Sequence, residues 1–181
     1  QAAELLDRMA PAQAVDILDG IEPDLAADIV EELDSDAAAD MLGDLETDEA
    51  EAILHEMEPE EAKEARELLA YDEDTAGGLM RSEFLAYPLT ATVGEVTEDM
   101  RSNAAIYTDY DVQYAYILDG DKHPVGVLRL RDLLLSTTAT LVTEIMLPEP
   151  HVVNHAMELD ELARLFEDKE FVGLPVVDDA R

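Results

Sequence analysis

The sequence has no cysteine, little positive charge and no long apolar run. Without cysteine the protein can form neither disulfides nor thiolate metal sites. No apolar stretch approaches the roughly 20 residues that a membrane-spanning helix needs. The sequence also lacks a GxSxG motif, a phosphate-binding P-loop and a nucleophile paired with a base, so we predict no enzyme activity. Its four histidines show no metal-ligand spacing, and we interpret them as surface or packing residues.

Positive charge is scarce, because 11 lysines and arginines stand against 45 aspartates and glutamates, for a net charge of −34. Nucleic-acid binding needs a basic face for the phosphates, so we predict that nucleic acid is not a partner. Two explanations of the acidity remain open. Some carboxylates bind hard cations such as Mg²⁺, which prefer oxygen ligands, or the charge is a hydrated surface of the kind found in proteins from high-salt cells. We expect the second explanation to cover most of the acids.

A twelve-residue repeat runs through residues 9–69. The repeat begins at a large apolar residue, namely Met9, Ile21, Leu33, Leu45, Met57 and Leu69. Two residues later stand Pro11, Pro23, Ser35, Thr47 and Pro59. Three residues after those, every repeat has an alanine: Ala14, Ala26, Ala38, Ala50 and Ala62. Proline suits the first helical position, and we expect Ser35 and Thr47 to cap their helices instead.

Each repeat predicts one short amphipathic helix. Ala14, Ile17, Leu18 and Ile21 lie at i, i+3, i+4 and i+7, which is one face of a helix. A single continuous helix would rotate that face by about 120° per repeat, at about 100° per residue, and the prolines would break it. The repeats therefore predict short stacked helices that bury a shared face, in a right-handed or left-handed solenoid. Residues 1–70 carry 23 acidic and 3 basic residues.

The pattern changes at Tyr71, after which strands and helices alternate. Paired glycines mark a turn at residues 77–78. We predict a short extended segment at 84–87, a helix at 92–101 with a capping box of Thr92 and Glu95, strands at 112–118 and 124–130 joined by a hairpin turn, and a helix opening at residues 131–134. The order then restarts with a strand at 151–153, a helix at 159–166 and a strand at 173–177.

This order resembles a tandem of CBS modules (cystathionine β-synthase type). The resemblance rests on Pro-Val-Gly-Val at 124–127, Arg-Asp-Leu-Leu at 131–134 and Gly-Leu-Pro-Val-Val-Asp at 173–178. Tyr-Asp-Glu-Asp-Thr-Ala-Gly-Gly-Leu-Met at 71–80, after the helical repeats, is similar to the junction of MgtE-type magnesium transporters. The resemblance implies an α+β multidomain fold: an all-α superhelix of short helical repeats followed by an α/β CBS domain pair. The implied domains are an acidic helical-repeat domain at 1–74, CBS domain 1 at 75–141 and an incomplete CBS domain 2 at 142–181.

The family resemblance also implies a function. The chain is expected to be the cytosolic Mg²⁺-sensing region of a magnesium transporter or channel, at the cytoplasmic face of the cell membrane, which closes on bound Mg²⁺ to shut the pore. It is expected to form a homodimer through its CBS domains and to work with its own transmembrane domain, which lies outside this fragment. Alignment with the family's sensing carboxylates gives five expected Mg²⁺ ligands: Glu4, Asp36, Glu158, Asp160 and Glu170.

CBS pairs also bind adenine nucleotides, so the resemblance implies ATP as a second ligand. By resemblance, Asp132 takes the ribose hydroxyls and Arg131 reaches phosphate, while Tyr114 and Phe171 flank the base and Pro175 lies on the strand beside the cleft. Each of these residues also has a plain structural explanation, as a helix start or a core residue. Two other functions stay open: a soluble adenine-nucleotide-sensing CBS regulatory protein, and an acidic scaffold without a specific response to cations.

Overall fold

The structure is a computed structural model that describes residues 2–107, 110, 113–169 and 171–179, without the side chains of Glu4, Asp7, Asp168 and Lys169. The described chain divides into two compact units. The first takes in residues 2–82 and 155–169, and the second takes in residues 83–154 and 171–179. None of the helices in these described segments is both long enough and apolar enough to cross a membrane.

Residues 2–68 of the first unit form six short helices, and the last five of them are the helices that the repeat predicts. They are α1 (Ala2–Asp7), α2 (Pro11–Asp19), α3 (Pro23–Val30), α4 (Ser35–Gly43), α5 (Thr47–Glu56) and α6 (Pro59–Leu68). The helices pack on their next-but-one neighbours, with α2 against α4, α3 against α5 and α4 against α6. This arrangement confirms the predicted helical superhelix.

The repeated apolar positions form one continuous core in the first unit. Leu18, Val30 and Leu42 are each about 1% exposed, and full burial of such a side chain contributes roughly 1.5–3 kcal/mol. The repeated alanines Ala14 and Ala26 are fully buried, because a small side chain at this position lets adjacent helices approach closely. The stack is therefore stabilised by contacts between repeats, since helices of this length are not stable alone.

The prediction that Ser35 and Thr47 cap their helices is wrong. Both residues are the first residues of their helices, α4 and α5, where the other repeats have proline. The N-cap positions belong to Asp34 and Glu46 instead. The reason lies in the repeat itself. Ser35 and Thr47 align with Pro11, which is the first residue of its helix and follows the N-cap Ala10.

The second unit contains two small sheets and their covering helices. Its elements are β1 (Ala86–Pro88), α7 (Val93–Ser102), α8 (Ala104–Tyr107), β2 (Tyr114–Leu118), β3 (Pro124–Arg129), α9 (Leu130–Leu134), a 3-10 turn (Val142–Glu144), β4 (Leu147–Pro148), β5 (Val153–Asn154) and β6 (Val176–Val177). The larger sheet has the order β1-β2-β3-β4, with β1 parallel to β2 and the other pairs antiparallel. The smaller sheet pairs β5 with β6 in parallel.

Most of these elements match the sequence predictions, with two differences. The capping box of α7 is confirmed, because Thr92 Oγ1 accepts a hydrogen bond from Glu95 N at 3.2 Å and Glu95 Oε2 accepts one from Thr92 N at 2.7 Å. The helix α8 was not predicted. Nor was β4, which comes from the predicted second module but pairs with β3 through Gly126–Pro148 and Val127–Leu147. Part of the predicted strand at 112–118 lies outside the described residues.

A helix from the predicted second module, α10 (Leu159–Lys169), belongs to the first unit. The segment that leads into it is held by the 71–80 junction. Ala76 N donates to Met157 O and Gly77 N donates to His155 O, both at 2.8 Å, and Leu159 N donates to Asp74 O at 3.2 Å. A Cβ on Gly77 would lie 2.7 Å from the Tyr71 ring, which explains the need for glycine there.

Candidate cation and nucleotide sites

Four carboxylates crowd around α4, and we call them the α4 acidic cluster: Asp36, Asp40, Asp44 and Glu73. The amphipathic repeat sets this arrangement, since it places Asp36 and Asp40 one turn apart on α4, and the junction adds Glu73. The pKa of Asp40 is raised, first by desolvation and then by the negative charges of Asp36, Glu73 and Asp44. This crowding of like charge favours the binding of a cation.

Asp36, an expected Mg²⁺ ligand, is already contacted by a positive side chain. Its Oδ2 accepts a hydrogen bond from Arg81 Nε at 2.8 Å, and its Oδ1 accepts one from Ala37 N at 2.9 Å. Arg81 Nη1 also lies 2.8 Å from Asp34 Oδ2. Sequence reasoning missed Arg81 and Asp34, because no local pattern indicates contact between residues 45 positions apart.

Two further expected ligands lie at the start of α10, in the same unit as Asp36. Glu158 comes just before the helix, and its main-chain oxygen accepts from the amides of Glu161 and Leu162 at 3.0 Å. Asp160 lies in the first turn, where a carboxylate is favoured by the helix dipole. Both side chains are exposed. The side chain of Glu4 and the whole of Glu170 lie outside the described residues.

Among the expected ligands whose side chains are described, the structure does not gather Asp36, Glu158 and Asp160 into one compact metal site. Within the described residues, three potential ligand atoms lie within 4.8 Å of one another only at Asp119, Asp121 and His123. The sequence analysis found no metal-ligand spacing at any histidine and so missed this group. The alternation Asp-x-Asp-x-His at residues 119–123 was the signal that could have identified it. Asp119 Oδ1 accepts from the amides of Asp121 and His123 at 2.9 and 3.0 Å, and these bonds close the hairpin turn. The His123 amide, more than any other group, lowers the pKa of Asp119.

The expected nucleotide residues all belong to the second unit, and Tyr114 lies beside the segment that carries two of them. Its hydroxyl sits against Gly173, where an added Cβ would approach it to 2.6 Å. On either side of Gly173, Phe171 stacks edge-on with His151 at 5.1 Å between ring centres, and Pro175 O accepts from Val153 N at 3.0 Å. The structure therefore brings Tyr114 beside the segment that carries Phe171 and Pro175.

Asp132 is held at the same end of the larger sheet. Tyr114 is paired across the sheet with Arg129, and Arg129 Nε donates to Asp132 Oδ2 at 2.6 Å. Arg131 Nε lies farther away, at 3.6 Å from Asp132 Oδ1, and its side chain is 70% exposed, against 18% for Asp132. Asp132 is thus oriented by Arg129, while Arg131 extends toward solvent. Sequence reasoning missed Arg129, although a basic residue three positions before Asp132 was a signal for it.

A cavity of about 230 Å³ lies at the opposite end of the β2–β3 hairpin from Tyr114, and it is lined by Asp119, His123, Pro124, Val125, Val152 and Val177. None of the expected nucleotide residues lines it. The expected nucleotide site is therefore the surface around Tyr114 and Asp132, not this cavity.

Two known protein families match this chain. Residues 1–74 match the MgtE intracellular N domain family, and residues 76–136 and 142–181 match the CBS domain family. The chain belongs to the CBS domain family and carries an MgtE intracellular N domain. The α4 acidic cluster lies within the match to the MgtE N domain, and the expected nucleotide residues lie within the CBS matches.

Similar solved structures span nearly the whole chain. The crystal structure of the cytosolic domain of the Mg²⁺ channel MgtE in complex with ATP is 34% identical, with a TM-score of 0.89 over 98% of this chain and 72% of that one. The soluble part of a magnesium transporter is 28% identical, with a TM-score of 0.80 over 96% of this chain and 73% of that one. These two structures confirm the predicted fold class.

Among relatives of known sequence, the magnesium transporter MgtE of Thermus thermophilus is 40% identical over 116 residues, which is 64% of this chain and 25% of that protein. The chain spans about a quarter of the length of the curated relatives it matches. It is therefore homologous to the cytosolic part of MgtE transporters.

Proposed function

We propose that this chain is the cytosolic Mg²⁺-sensing regulatory region of a magnesium transporter or channel, and that it closes on bound Mg²⁺ to shut the pore. The observation that carries the proposal is the likeness, over 98% of the chain, to the cytosolic domain of a Mg²⁺ channel. The rest of the transporter would include a transmembrane domain, which places this region at the cytoplasmic face of the cell membrane. The domain boundaries at residues 74 and 141 are part of the same proposal.

The charge distribution supplies a physical reason for closing. The helical repeats are strongly acidic. Desolvation, and then repulsion from neighbouring acids, raises the pKa of Asp40, so its charged form is held there at some cost. Divalent cations would offset this repulsion. Mg²⁺ usually keeps several waters and takes one or two carboxylates, so Asp36, Glu158 and Asp160 can bind ions without forming one compact cage. Mg²⁺ acts as a switch only if it binds the closed state more tightly than the open state.

The expected ligands remain Glu4, Asp36, Glu158, Asp160 and Glu170. Asp36 is supported by its place in the α4 acidic cluster, and Glu158 and Asp160 by their exposed place at the start of α10. Exposed carboxylates of this kind bind cations weakly when taken singly. The proposed sensor therefore relies on several weak sites that act together.

Limited proteolysis tests this proposal. The chain is digested with increasing MgCl₂ and, separately, with KCl at matched ionic strength, and cleavage is followed in the 71–78 junction. We expect Mg²⁺ to protect the junction where KCl does not. Asp36→Asn and Glu158→Gln should weaken that protection. Asp28→Asn is the matched control, because Asp28 is an exposed acid on the neighbouring helix α3.

Equal protection by KCl would contradict the proposal. The acidity would then be a hydrated surface, and a soluble adenine-nucleotide-sensing CBS regulatory protein would become the better explanation of the chain. If Asp28→Asn lost protection to the same degree as Asp36→Asn, the response to Mg²⁺ would be a diffuse effect of charge, and Asp36 would not be a defined ligand.

A second ligand, ATP, is proposed for the second unit. It is supported by the grouping of Tyr114 with the segment that carries Phe171 and Pro175, and by an Asp132 that Arg129 orients. In this arrangement Asp132 would accept from the ribose hydroxyls, and the exposed Arg131 would contact phosphate. Calorimetric titration with ATP and with GTP tests it. Binding of ATP that Asp132→Asn and Phe171→Ala both weaken is the expected result, and equal binding by either variant would contradict the assignment.

We also propose a homodimer formed through the CBS domains. CBS pairs commonly associate through their helices, and Leu134 and Leu135 at the end of α9 are each 84% exposed. Such apolar exposure is typical of an interface. Sedimentation equilibrium is expected to show a dimer that Leu134→Glu dissociates. A wild-type monomer at high protein concentration would contradict the proposal.

A further inference from the structure

Arg81 is a cation built into the chain at the carboxylates that are expected to bind Mg²⁺. Its Nε lies 2.8 Å from Asp36 Oδ2 and its Nη1 lies 2.8 Å from Asp34 Oδ2. Both distances are those of strong charge-assisted hydrogen bonds. The guanidinium thus spans two acids at the start of α4.

The neighbouring backbone fixes Arg81 in this position. Ser82 N donates to Ser35 Oγ at 3.0 Å, so the main chain beside Arg81 is tied to the residue between Asp34 and Asp36. A side chain anchored in this way returns to the same carboxylates each time it leaves. Its local concentration at Asp36 is therefore high and does not depend on the ions in solution.

Mg²⁺ and Arg81 cannot both bind Asp36 Oδ2 in the observed geometry. The Asp36 Oδ1 atom is engaged by the Ala37 amide at 2.9 Å, and the guanidinium lies directly on Oδ2. A Mg²⁺ ion with its shell of waters needs that space. Since arginine stays protonated at all physiological pH values, Arg81 is always present as a competitor.

We propose that Arg81 competes with Mg²⁺ for Asp36 and so raises the Mg²⁺ concentration at which the sensor responds. This inference rests on the proposed Mg²⁺-sensing function. Arg81 would act as a specificity-determining residue, since only an ion that binds Asp36 more strongly than the tethered guanidinium does can displace it. At the same ionic strength a monovalent cation has a weaker electrostatic attraction to each carboxylate than Mg²⁺ has. The ion pair between Arg81 and Asp36 therefore favours a response to divalent ions.

The test is a Mg²⁺ titration of Arg81→Gln against a matched control, with junction proteolysis at constant ionic strength as the readout. Arg66→Gln is the control, because Arg66 also forms an ion pair within the helical unit, with Glu51 at 3.1 Å, and its loss changes the net charge by the same amount. We expect the midpoint to fall by about two- to fivefold in Arg81→Gln, which corresponds to the usual strength of an exposed ion pair. Arg66→Gln should leave the midpoint near that of the wild type.

Two further variants separate competition from a loss of structure. Arg81→Lys keeps the charge but loses the planar fork, so its midpoint should lie between those of the wild type and Arg81→Gln. In an Asp36→Asn background, Arg81→Gln should have no further effect on the midpoint, because the contested carboxylate is gone. Circular dichroism without Mg²⁺ checks that each variant is folded, and if Arg81→Gln is not, Arg81→Lys carries the comparison.

The outcomes for the two proposals are distinct. A wild-type response to Mg²⁺ with an unchanged or raised midpoint in Arg81→Gln overturns the competition and leaves the sensor in place. A raised midpoint would mean that Arg81 positions the carboxylates for Mg²⁺. Absence of any Mg²⁺-specific response in the wild type overturns the sensor and the competition together.

Discussion

The acidic side chains of the two units are held in different ways. In the second unit, several of them serve as hydrogen-bond acceptors for the protein itself. Asp99 accepts from the hydroxyls of Tyr87 and Tyr107 at 2.8 and 3.1 Å and from Asn103 Nδ2 at 2.8 Å. Asp119 and Asp132 similarly accept from turn amides and from Arg129.

In the first unit, Asp36 also accepts hydrogen bonds from Arg81 and Ala37, but other carboxylates crowd one another. The pKa of Asp40 is raised by desolvation and by three neighbouring acids. The pKa of Glu49 is also raised, mainly by its side-chain hydrogen bond with Asp19. The net negative charge of the chain therefore comes from two kinds of acid. Those named in the second unit accept hydrogen bonds that support the fold, whereas the charged form of Asp40 in the first unit is disfavoured by its surroundings.

The largest expected effect comes from removing a structural acid of the second unit. Asp99→Ala leaves the hydroxyls of Tyr87 and Tyr107 without their acceptor, and burial of Tyr87, with its bond to Asp99, raises the pKa of that hydroxyl. Hydrogen bonds to a charged group contribute about 1.5–3 kcal/mol each. Because the donors to Asp99 are only partly buried and water can replace part of these bonds, we expect the free energy of unfolding to fall by about 2–4 kcal/mol in total. Urea unfolding followed by circular dichroism measures it.

The control for Asp99 is its neighbour on the same helix. Glu98→Ala removes an equal charge whose contact with Ser102 is long, at 3.4 Å, so it should change the stability by less than about 0.5 kcal/mol. Equal losses for the two variants, or rescue of Asp99→Ala by MgCl₂, would remove the distinction between the two kinds of acid.

A smaller effect is expected from closing the space beside Tyr114. In Gly173→Ala the new methyl group would lie 2.6 Å from the Tyr114 hydroxyl, so the tyrosine must move from its expected place at the base. We expect ATP affinity to fall about tenfold, or about 1.4 kcal/mol, while the response to Mg²⁺ is unchanged. Gly120→Ala is the control, since nothing lies within 4 Å of a Cβ there. If Gly173→Ala lost the Mg²⁺ response but kept its ATP affinity, the assignment of ATP to the second unit and of Mg²⁺ to the first would be contradicted.

Local sequence signals predicted most of the fold. The twelve-residue period predicted α2 to α6, and Thr92 with Glu95 predicted the start of α7, because each signal lies within a few residues of the structure it produces. The helix α1 lies before the repeat and was not predicted. The pairing of β4 with β3 was not predicted, since it depends on which sheet edge a two-residue strand meets.

The residues of the candidate sites also differ in how far the sequence could predict their contacts. Family resemblance supplied the expected ligands, which stay predictions, but it gave no information on what contacts them. Arg81 reaches Asp36 across 45 residues, and no period or spacing encodes that approach. Arg129 was within reach of sequence reasoning, since it stands three residues before Asp132 at a helix start. Contacts between distant segments arise from packing, and only the structure reveals them.

The smallest expected effect is the most direct test of charge crowding in the first unit. Because the pKa of Asp40 is raised in the folded protein above its ordinary value of 3.8, the folded state holds this proton more tightly than the unfolded state does. Stability is then lost as the pH rises through the interval from 3.8 to the raised value, and the penalty is complete above it. Asp40 is exposed, so screening by solvent keeps the penalty to roughly a few tenths of a kcal/mol.

Asp40→Asn removes that penalty. At pH 7 without divalent ions the variant should melt slightly higher than the wild type, by about 1 °C, and the difference should vanish below pH 3.8. Saturating MgCl₂ should also abolish it, because a bound cation neutralises the same crowding in the wild type. Asp28→Asn, at the equivalent position one repeat earlier, should show no such dependence on Mg²⁺. A variant that is less stable than the wild type at pH 7 would mean that Asp40 stabilises the fold, as the acids of the second unit do.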